Sequence, residues 1–243
     1  MASSLQQPPL HTTEQREIDR IRRTYELRSH SNLAQRYSRT NPGHLFSLHE
    51  RDAAMAALFR SVGLRSLSGL RILDVGCGTG ATLRQYLEYD ASPGRLWGID
   101  LMPSFAARAH SASPSLQVLC GSACRLPFSD ASFDIVSQFM LFTSVLDNHI
   151  RRQIAQEVHR VLAPGGRILW YDFAFNSPSN PHVRGIPLAE VRQLFPSFSI
   201  TSRRITLAPP LGRAIGHLGP ITYLLTSKLR FLCTHYLCML HKA

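Results

Sequence analysis

The stretch ILDVGCGTG at residues 72–80 decides the fold. A short apolar strand ends within it, the chain turns tightly through three alternate glycines, and a helix is expected to follow. Glycine permits the unusual backbone angles of such a turn and lets a ligand lie against bare backbone. Asp74, two places before the first glycine, would repel a pyrophosphate but suits a ligand that carries an ammonium group. The motif therefore predicts a ligand site where the first strand ends.

A second strand, LWGID at residues 96–100, ends in a carboxylate about twenty residues further on. Asp100 at this position can accept hydrogen bonds from both hydroxyls of a ribose. The glycine turn alone is ambiguous, because Gly76-x-Gly78-x-x-Ala81 also satisfies the dinucleotide-binding fingerprint in its G-x-G-x-x-A form. The downstream sequence has to separate the two interpretations.

Three further segments do so. They read LPF at 126–128, SFDIV at 132–136 and EVHRVLAPGG at 157–166, where a helix is expected to be ended by Pro-Gly-Gly before a fifth strand. Together with the two strands above, they make residues 69–173 resemble the class I S-adenosylmethionine-dependent methyltransferases, in their small-molecule (methyltransf-11-like) branch. The resemblance implies S-adenosyl-L-methionine as the cofactor and methyl transfer as the activity.

The resemblance also implies where the cofactor binds. Asp74 and the glycines would line the methionine end, Asp100 would hold the ribose, and Leu101 and Met102 would pack on the adenine. Related chains often have Gly-Asp-Ala before Leu-Pro-Phe, with the carboxylate near the adenine amino group; here 121–123 is Gly-Ser-Ala, so this contact falls to the serine or to backbone groups. The expected cofactor-binding residues are Asp74, Gly76, Cys77, Gly78, Gly80, Asp100, Leu101, Met102, Ser122, Ala123, Gln138, Phe139 and Tyr37.

The acceptor side is less defined, because a sulfonium methyl is already electrophilic and the enzyme mainly aligns the reactants. The candidate catalytic residues are Tyr171 and Asp172, where the fifth strand ends, and His149, beyond the fourth. Each has a structural alternative: core packing for the tyrosine, a loop cap for the aspartate and the start of a helix for the histidine. Phe139 stands where a catechol-type magnesium site would need a carboxylate, so we expect no metal.

The pattern along the chain predicts one α/β domain behind a flexible tail at 1–13. Within it we expect a helical N-terminal cover at 14–66, a cofactor-binding core at 69–173, and acceptor-side and closing strands at 174–243. Strand-length apolar runs that alternate with helical stretches predict a Rossmann-like, doubly wound, seven-stranded, mostly parallel sheet with an antiparallel last strand. A lid is expected between the last two strands, at 209–228. A capping box of Ser47 with Glu50 predicts the start of the second helix.

Composition limits the function only loosely. With 44% hydrophobic and 18% charged residues the chain is that of an ordinary globular protein, and its formal net charge is +11. The start shows no signal-peptide pattern and the five cysteines show no disulfide spacing, so we expect a cytoplasmic protein. The favoured acceptor is an oxygen or nitrogen of a small or medium-sized metabolite, in specialised-metabolite or glycan biosynthesis. The oligomeric state is left open.

Three alternatives remain at this point. The positive charge could serve an RNA or other nucleic-acid methyltransferase. The cofactor pocket could belong to a non-catalytic regulatory protein. Alternatively, the basic C-terminal part and the apolar lid could make peripheral contact with a membrane that holds a lipid-linked or quinone-like acceptor.

Overall fold

The computed structural model describes residues 12–29, 38–177 and 180–242, and a seven-stranded sheet runs through them. In chain order its strands are β1 (Ile72–Val75), β2 (Leu96–Asp100), β3 (Gln117–Cys120), β4 (Phe133–Phe139), β5 (Leu162–Phe173), β6 (Phe198–Leu207) and β7 (Cys233–Lys242). Their order across the sheet is β3-β2-β1-β4-β5-β7-β6. The first five strands pair in parallel, whereas β7 is antiparallel to both β5 and β6. The predicted fold class is confirmed.

Helices alternate with these strands and cover the sheet. Within the described residues they are α1 (Thr12–Ser29), α2 (Pro42–Ser61), α3 (Ala81–Leu87), α4 (Pro103–Ala112), α5 (Asn148–Val161), α6 (Leu188–Leu194), α7 (Pro209–Gly216) and α8 (Pro220–Ser227). Short 3-10 turns occur at Pro93–Arg95, Phe142–Ser144 and Arg230–Leu232. None of these helices is long and apolar enough to span a bilayer.

The sheet has an apolar core on each face, because side chains alternate between the two faces along every strand. Leu73 and Trp170 contribute to the core that α5 and α6 cover. Ile72 and Leu169, one position away on the same strands, belong to the opposite core with residues of α2 and α3. Burial on both faces explains why central strands such as β1 are mostly apolar, whereas the edge strand β3 is largely exposed.

The start of α2 differs from the prediction. Asn41 caps the helix, its side-chain oxygen accepting a hydrogen bond from the His44 backbone N–H at 3.2 Å, and Pro42 occupies the first turn. Ser47 lies inside the helix, where its hydroxyl donates to the His44 carbonyl at 2.7 Å. The predicted capping box is therefore wrong, because an Asn cap followed by proline gives an earlier and sufficient start.

Two other boundaries were also wrong. The Pro-Gly-Gly segment at 164–166 does not separate α5 from the fifth strand: the helix ends at Val161, and β5 begins at the next residue. The segment instead lies where the pairing of β4 with β5 shifts its register, and Gly165 takes a positive φ of 69°. At the N-terminus, α1 already begins at Thr12, inside the predicted tail, and residues 1–11 lie outside the described part.

The predicted lid consists of α7 and α8, and three glycines bring it against α2. A Cβ atom on Gly43 would lie 2.3 Å from the carbonyl oxygen of Gly212. One on Gly216 would lie 2.4 Å from the Cα of Gly43. These distances leave no room for a methyl group, so the absence of side chains permits α2 and α7 to meet backbone to backbone.

We expect Gly43→Ala to destabilise the fold by overpacking this contact, at a cost of about 1–3 kcal/mol. Thermal unfolding followed by circular dichroism should show a lower midpoint than for the wild type. Gly94→Ala is the matched control, because a Cβ there meets nothing within 4 Å and the residue has no positive φ. Equal midpoints for the two variants would contradict the close helix contact.

Candidate active site

A cavity of about 370 Å³ lies at the carboxyl ends of β1 and β2, with α1 on its far side. Most of the residues expected to bind the cofactor line it. They are Asp74, Gly76, Cys77, Gly78, Asp100, Leu101, Met102, Ser122, Ala123 and Phe139. Two others, Gly80 and Gln138, are not among the lining residues, and Tyr37 lies outside the described residues. The strands thus bring together residues that span 66 positions of the sequence, from 74 to 139.

The glycine turn and Asp100 form one hydrogen-bonded unit. Gly76 and Gly78 take positive φ angles of 75° and 55°, as the motif predicts. The Asp100 carboxylate accepts from the backbone N–H of Gly78 at 2.8 Å through one oxygen and from that of Met102 at 2.9 Å through the other. Burial raises the pKa of Asp100, and these two hydrogen bonds act against that rise. The carboxylate is therefore held in place, with lone pairs left for a ligand.

Asp74 is buried at the end of β1 and has one strong partner. The Ser137 hydroxyl of β4 donates to it at 2.7 Å. Burial raises the pKa of Asp74 to about 7, with a contribution from the nearby Asp100, while the serine hydrogen bond opposes the rise. A cation in the cavity would favour the ionised carboxylate. This site is suited to an ammonium group.

The two expected residues that do not line the cavity support the turns beside it. Gly80 has a left-handed backbone with φ 75° and caps the N-terminus of α3. Gln138 is buried, and its side-chain oxygen accepts from the backbone N–H of Leu141 at 3.0 Å. Their cofactor-binding role stays a prediction.

Ser122 lines the cavity next to a carboxylate that the sequence analysis missed. Its hydroxyl donates to Glu14 of α1 at 3.3 Å and accepts from the backbone N–H of Cys124 at 3.2 Å. Glu14 is only 1% exposed, and its second oxygen has no hydrogen-bond partner within the described part of the chain. The segment after β3 lacks an aspartate, yet α1 places a carboxylate beside it.

Arg51 of α2 was also missed, and it is the one cationic side chain among the described residues that line this cavity. Its guanidinium lies over the rings of Phe139 and Tyr171, 5.4 Å and 5.7 Å from their centroids. Glu17, the remaining charged lining residue besides the two aspartates, is already engaged. It pairs with Arg20 at 2.8 Å and accepts from the backbone N–H of Leu146 at 2.6 Å.

A second cavity, of about 220 Å³, adjoins the first between α2, the lid helices and the ends of β5, β6 and β7. Arg51 and Met140 line both cavities, so the two meet at these side chains. Met140 and Thr206, which lie in the wall of the second cavity, are non-glycine residues with φ angles of 64° and 65°. Such strained backbone is concentrated at functional sites in proteins.

The three candidate catalytic residues occupy different environments. Tyr171 lines the second cavity, its hydroxyl is 2.9 Å from that of Thr206, and burial raises its pKa to about 12. Its ring stacks on His235 at 4.8 Å between centroids. Asp172 and His149 line neither of the two cavities.

Asp172 instead organises the turn after β4. The Thr143 hydroxyl donates to it, and the backbone N–H groups of Thr143 and Phe173 add hydrogen bonds at 3.2 Å and 3.0 Å. Burial raises its pKa to about 6, against the effect of these donors. His149 lies in the first turn of α5, where its backbone N–H donates to Asp147. His149 thus occupies the helix start that the sequence left open as its alternative, whereas Asp172 is bonded mainly to the turn after β4 rather than to the loop after β5. A catalytic role for either residue stays a prediction.

Comparison with known proteins agrees with this geometry. Residues 73–170 match the family described as "Methyltransferase domain". The fold is similar to that of the S-adenosylmethionine-dependent methyltransferase from Mesorhizobium loti, with a TM-score of 0.57, 19% identity, and coverage of 78% of this chain and 98% of that one. Together with the site, these matches make residues 73–170 similar to the class I S-adenosylmethionine-dependent methyltransferases, whose cofactor is S-adenosylmethionine.

Two curated relatives resemble particular parts of the chain. Phthiotriol/phenolphthiotriol dimycocerosates methyltransferase 1 of Mycobacterium ulcerans is 37% identical over 136 residues, which are 52% of this chain and 47% of that protein. Demethylmenaquinone methyltransferase of Staphylococcus aureus is 28% identical over 141 residues, or 57% of this chain and 56% of that protein. The chain thus spans about half the length of these relatives.

We expect Asp74→Asn to weaken binding of S-adenosylhomocysteine by tenfold to a hundredfold, because a charge-assisted hydrogen bond to the ligand's ammonium group is worth about 1.5–3 kcal/mol. The affinity of the wild type should also fall as the pH drops through about 7, where protonation of Asp74 removes the charge. Isothermal titration calorimetry at pH 6 and pH 8 measures both effects.

5′-Methylthioadenosine is the matched control ligand, because it has the adenosine and sulfur but lacks the amino acid end. Its affinity should be the same for the wild type and the variant. A variant that binds both ligands as the wild type does would remove Asp74 from the ammonium site.

Proposed function

We propose that this chain transfers the methyl group of S-adenosylmethionine to an oxygen or nitrogen of a small apolar molecule held in the second cavity, releasing S-adenosylhomocysteine. The observation that carries the proposal is the junction of the two cavities at Arg51 and Met140. A ligand in the first cavity and a ligand in the second would meet at this junction. Alignment of two bound reactants is the main catalytic requirement of such a reaction.

The charges of the first cavity suit the cofactor in one orientation. Asp100 would accept from the ribose hydroxyls, and Leu101 and Met102 would pack on the adenine, as the resemblance implies. Asp74 would hold the ammonium group. Arg51 would hold the carboxylate, since it is the cationic side chain among the described lining residues and its one ion pair there, with Asp52, is long at 3.7 Å. When bound, the cofactor supplies an electrophilic methyl group. The protein's part is to direct it toward the junction.

The second cavity favours an apolar acceptor. Carbon-rich side chains from Leu48, Phe173, Leu207, Pro209 and Tyr223 form much of its wall. The two relatives are named for dimycocerosates and for demethylmenaquinone, a lipid and a quinone. These names support an acceptor of that chemical class here. A pathway in lipid, specialised-metabolite or glycan biosynthesis remains part of the proposal.

His44 of α2 is our candidate for removing a proton from the acceptor. It lines the second cavity, and burial, together with the positive charges of Arg51 and Arg39, lowers its pKa. It is therefore neutral at pH 7, the form that can accept a proton. His235 is a poorer candidate, because burial lowers its pKa to about 3 and its ring is packed against those of Tyr171 and Phe173. Tyr171 would shape the cavity wall.

Methyl transfer can be tested without knowing the acceptor. The purified chain is incubated with S-adenosylmethionine labelled with tritium in the methyl group and with separate lipid, aqueous-metabolite and RNA fractions of a bacterial lysate. We expect label in the organic-soluble fraction. Asp100→Ala, which removes the ribose contact, should abolish transfer. His44→Gln should lower the rate while keeping the wild-type affinity for S-adenosylhomocysteine.

The other outcomes favour the alternative functions. Label in RNA, together with RNA binding that weakens steeply with salt, would support a nucleic-acid methyltransferase and contradict this proposal. Cofactor binding without transfer to any fraction would support a regulatory protein. Transfer to aqueous metabolites alone would overturn the apolar acceptor but not the methyltransferase activity.

A further inference from the structure

Large exposed apolar side chains are concentrated on the lid and on the few residues that follow it. Of the nine such residues in the described part of the chain, six lie within residues 218–231. We call these six the lid patch; they are Leu218, Ile221, Leu224, Leu225, Leu229 and Phe231. Phe231, Ile221 and Leu218 are at least 70% exposed. A contiguous apolar patch on a folded protein marks an interaction site, whereas single exposed side chains do not, and six such residues within fourteen positions make a shared surface the natural interpretation.

Helix α8 has two distinct faces. Tyr223 and Ser227 are buried, and Tyr223 reaches the second cavity, with its hydroxyl 3.4 Å from Glu50 of α2. Ile221, Leu224 and Leu225 point outward at positions i, i+3 and i+4, so they form one apolar stripe. A single helix therefore separates the proposed acceptor cavity from the lid patch.

The exposed charged residues within the segment that carries the lid patch are basic. Lys228 continues the apolar stripe of α8 at position i+7, and Arg230 lies between two residues of the patch; both are exposed. Arg213 of α7 lines the second cavity on the same lid. From residue 191 to the end, the sequence contains no aspartate or glutamate. An apolar stripe flanked by basic side chains is the pattern of a helix that lies in the surface of an anionic membrane.

We propose that the lid patch docks on an anionic lipid bilayer, with the apolar side chains inserted among the acyl chains and the basic ones at the headgroups. The docking itself does not depend on the proposed function. Its purpose does: a lid that rests on the membrane would place the second cavity where an apolar acceptor can enter it without crossing water.

Charge also argues against a second copy of the chain as the partner that covers the lid patch. In a twofold dimer across the lid patch, the same surface of each copy meets the other. Lys228 and Arg230 would then lie near their own counterparts, and the segment that carries the patch contributes no carboxylate to neutralise them, although Glu50 of α2 lies close enough to Arg230 to interact with it. An anionic bilayer neutralises these side chains and also accepts the apolar ones.

Vesicle flotation of the full chain, without cofactor or acceptor, tests the docking. We expect the protein to float with vesicles of 70% phosphatidylcholine and 30% phosphatidylglycerol, and much less with vesicles of phosphatidylcholine alone. Leu225→Asp should lower the floated fraction about tenfold, because it places a charge in the apolar stripe. Leu27→Asp is the matched control: its side chain is 64% exposed, against 60% for Leu225, and it lies on α1, outside the patch. It should float like the wild type.

Binding of S-adenosylhomocysteine by both variants would establish that they are folded. The docking proposal would be overturned by absence of flotation, by equal flotation of the two variants, or by a dimer in solution that Leu225→Asp dissociates. Failure of methyl transfer would leave a positive flotation result intact. A protein that transfers methyl groups but does not float would contradict the docking alone.

Discussion

Two buried carboxylates at the ends of adjacent parallel strands are the constraint around which this molecule is arranged. Asp74 is the penultimate residue of β1 and Asp100 is the last of β2, and their proximity contributes to the raised pKa of Asp74. The glycine turn between them wraps onto β2, with the backbone N–H groups of Gly76 and Gly78 bonded to Ile99 and Asp100. Burial of two like charges is unfavourable unless hydrogen bonds or a cation compensate. A cationic ligand would supply that compensation.

The rest of the fold supplies walls around this pair. On one side α1 closes the first cavity, and on the other α2 contributes Arg51 at the boundary with the second cavity. The lid helices reach α2 through glycines, and this close contact places Tyr223 and Gly212 in the wall of the second cavity. One surface of the lid thus faces the proposed acceptor site, and its other surface carries the apolar lid patch. The cofactor, the acceptor and the membrane would lie in that spatial order across the molecule.

The sheet and the core of the cofactor site were predictable because their signals are local. Glycine spacing and the aspartates near the ends of two strands can be recognised without knowing what packs on them. Arg51, His44 and Glu14 could not be assigned in this way, since each lies on an N-terminal helix whose orientation is set only by packing on distant strands. Asp172 shows the reverse case: it lies at a strand end, as a functional carboxylate would, but Thr143 and nearby backbone groups satisfy it.

The central claim is that the cavity above Asp74 and Asp100 binds S-adenosylmethionine rather than a dinucleotide. Isothermal titration of the purified chain with S-adenosylhomocysteine, and separately with NADH, tests it most directly. The account predicts binding of S-adenosylhomocysteine with a dissociation constant of roughly micromolar order, about −8 kcal/mol, and no heat with NADH. Binding of NADH in place of S-adenosylhomocysteine would contradict the account.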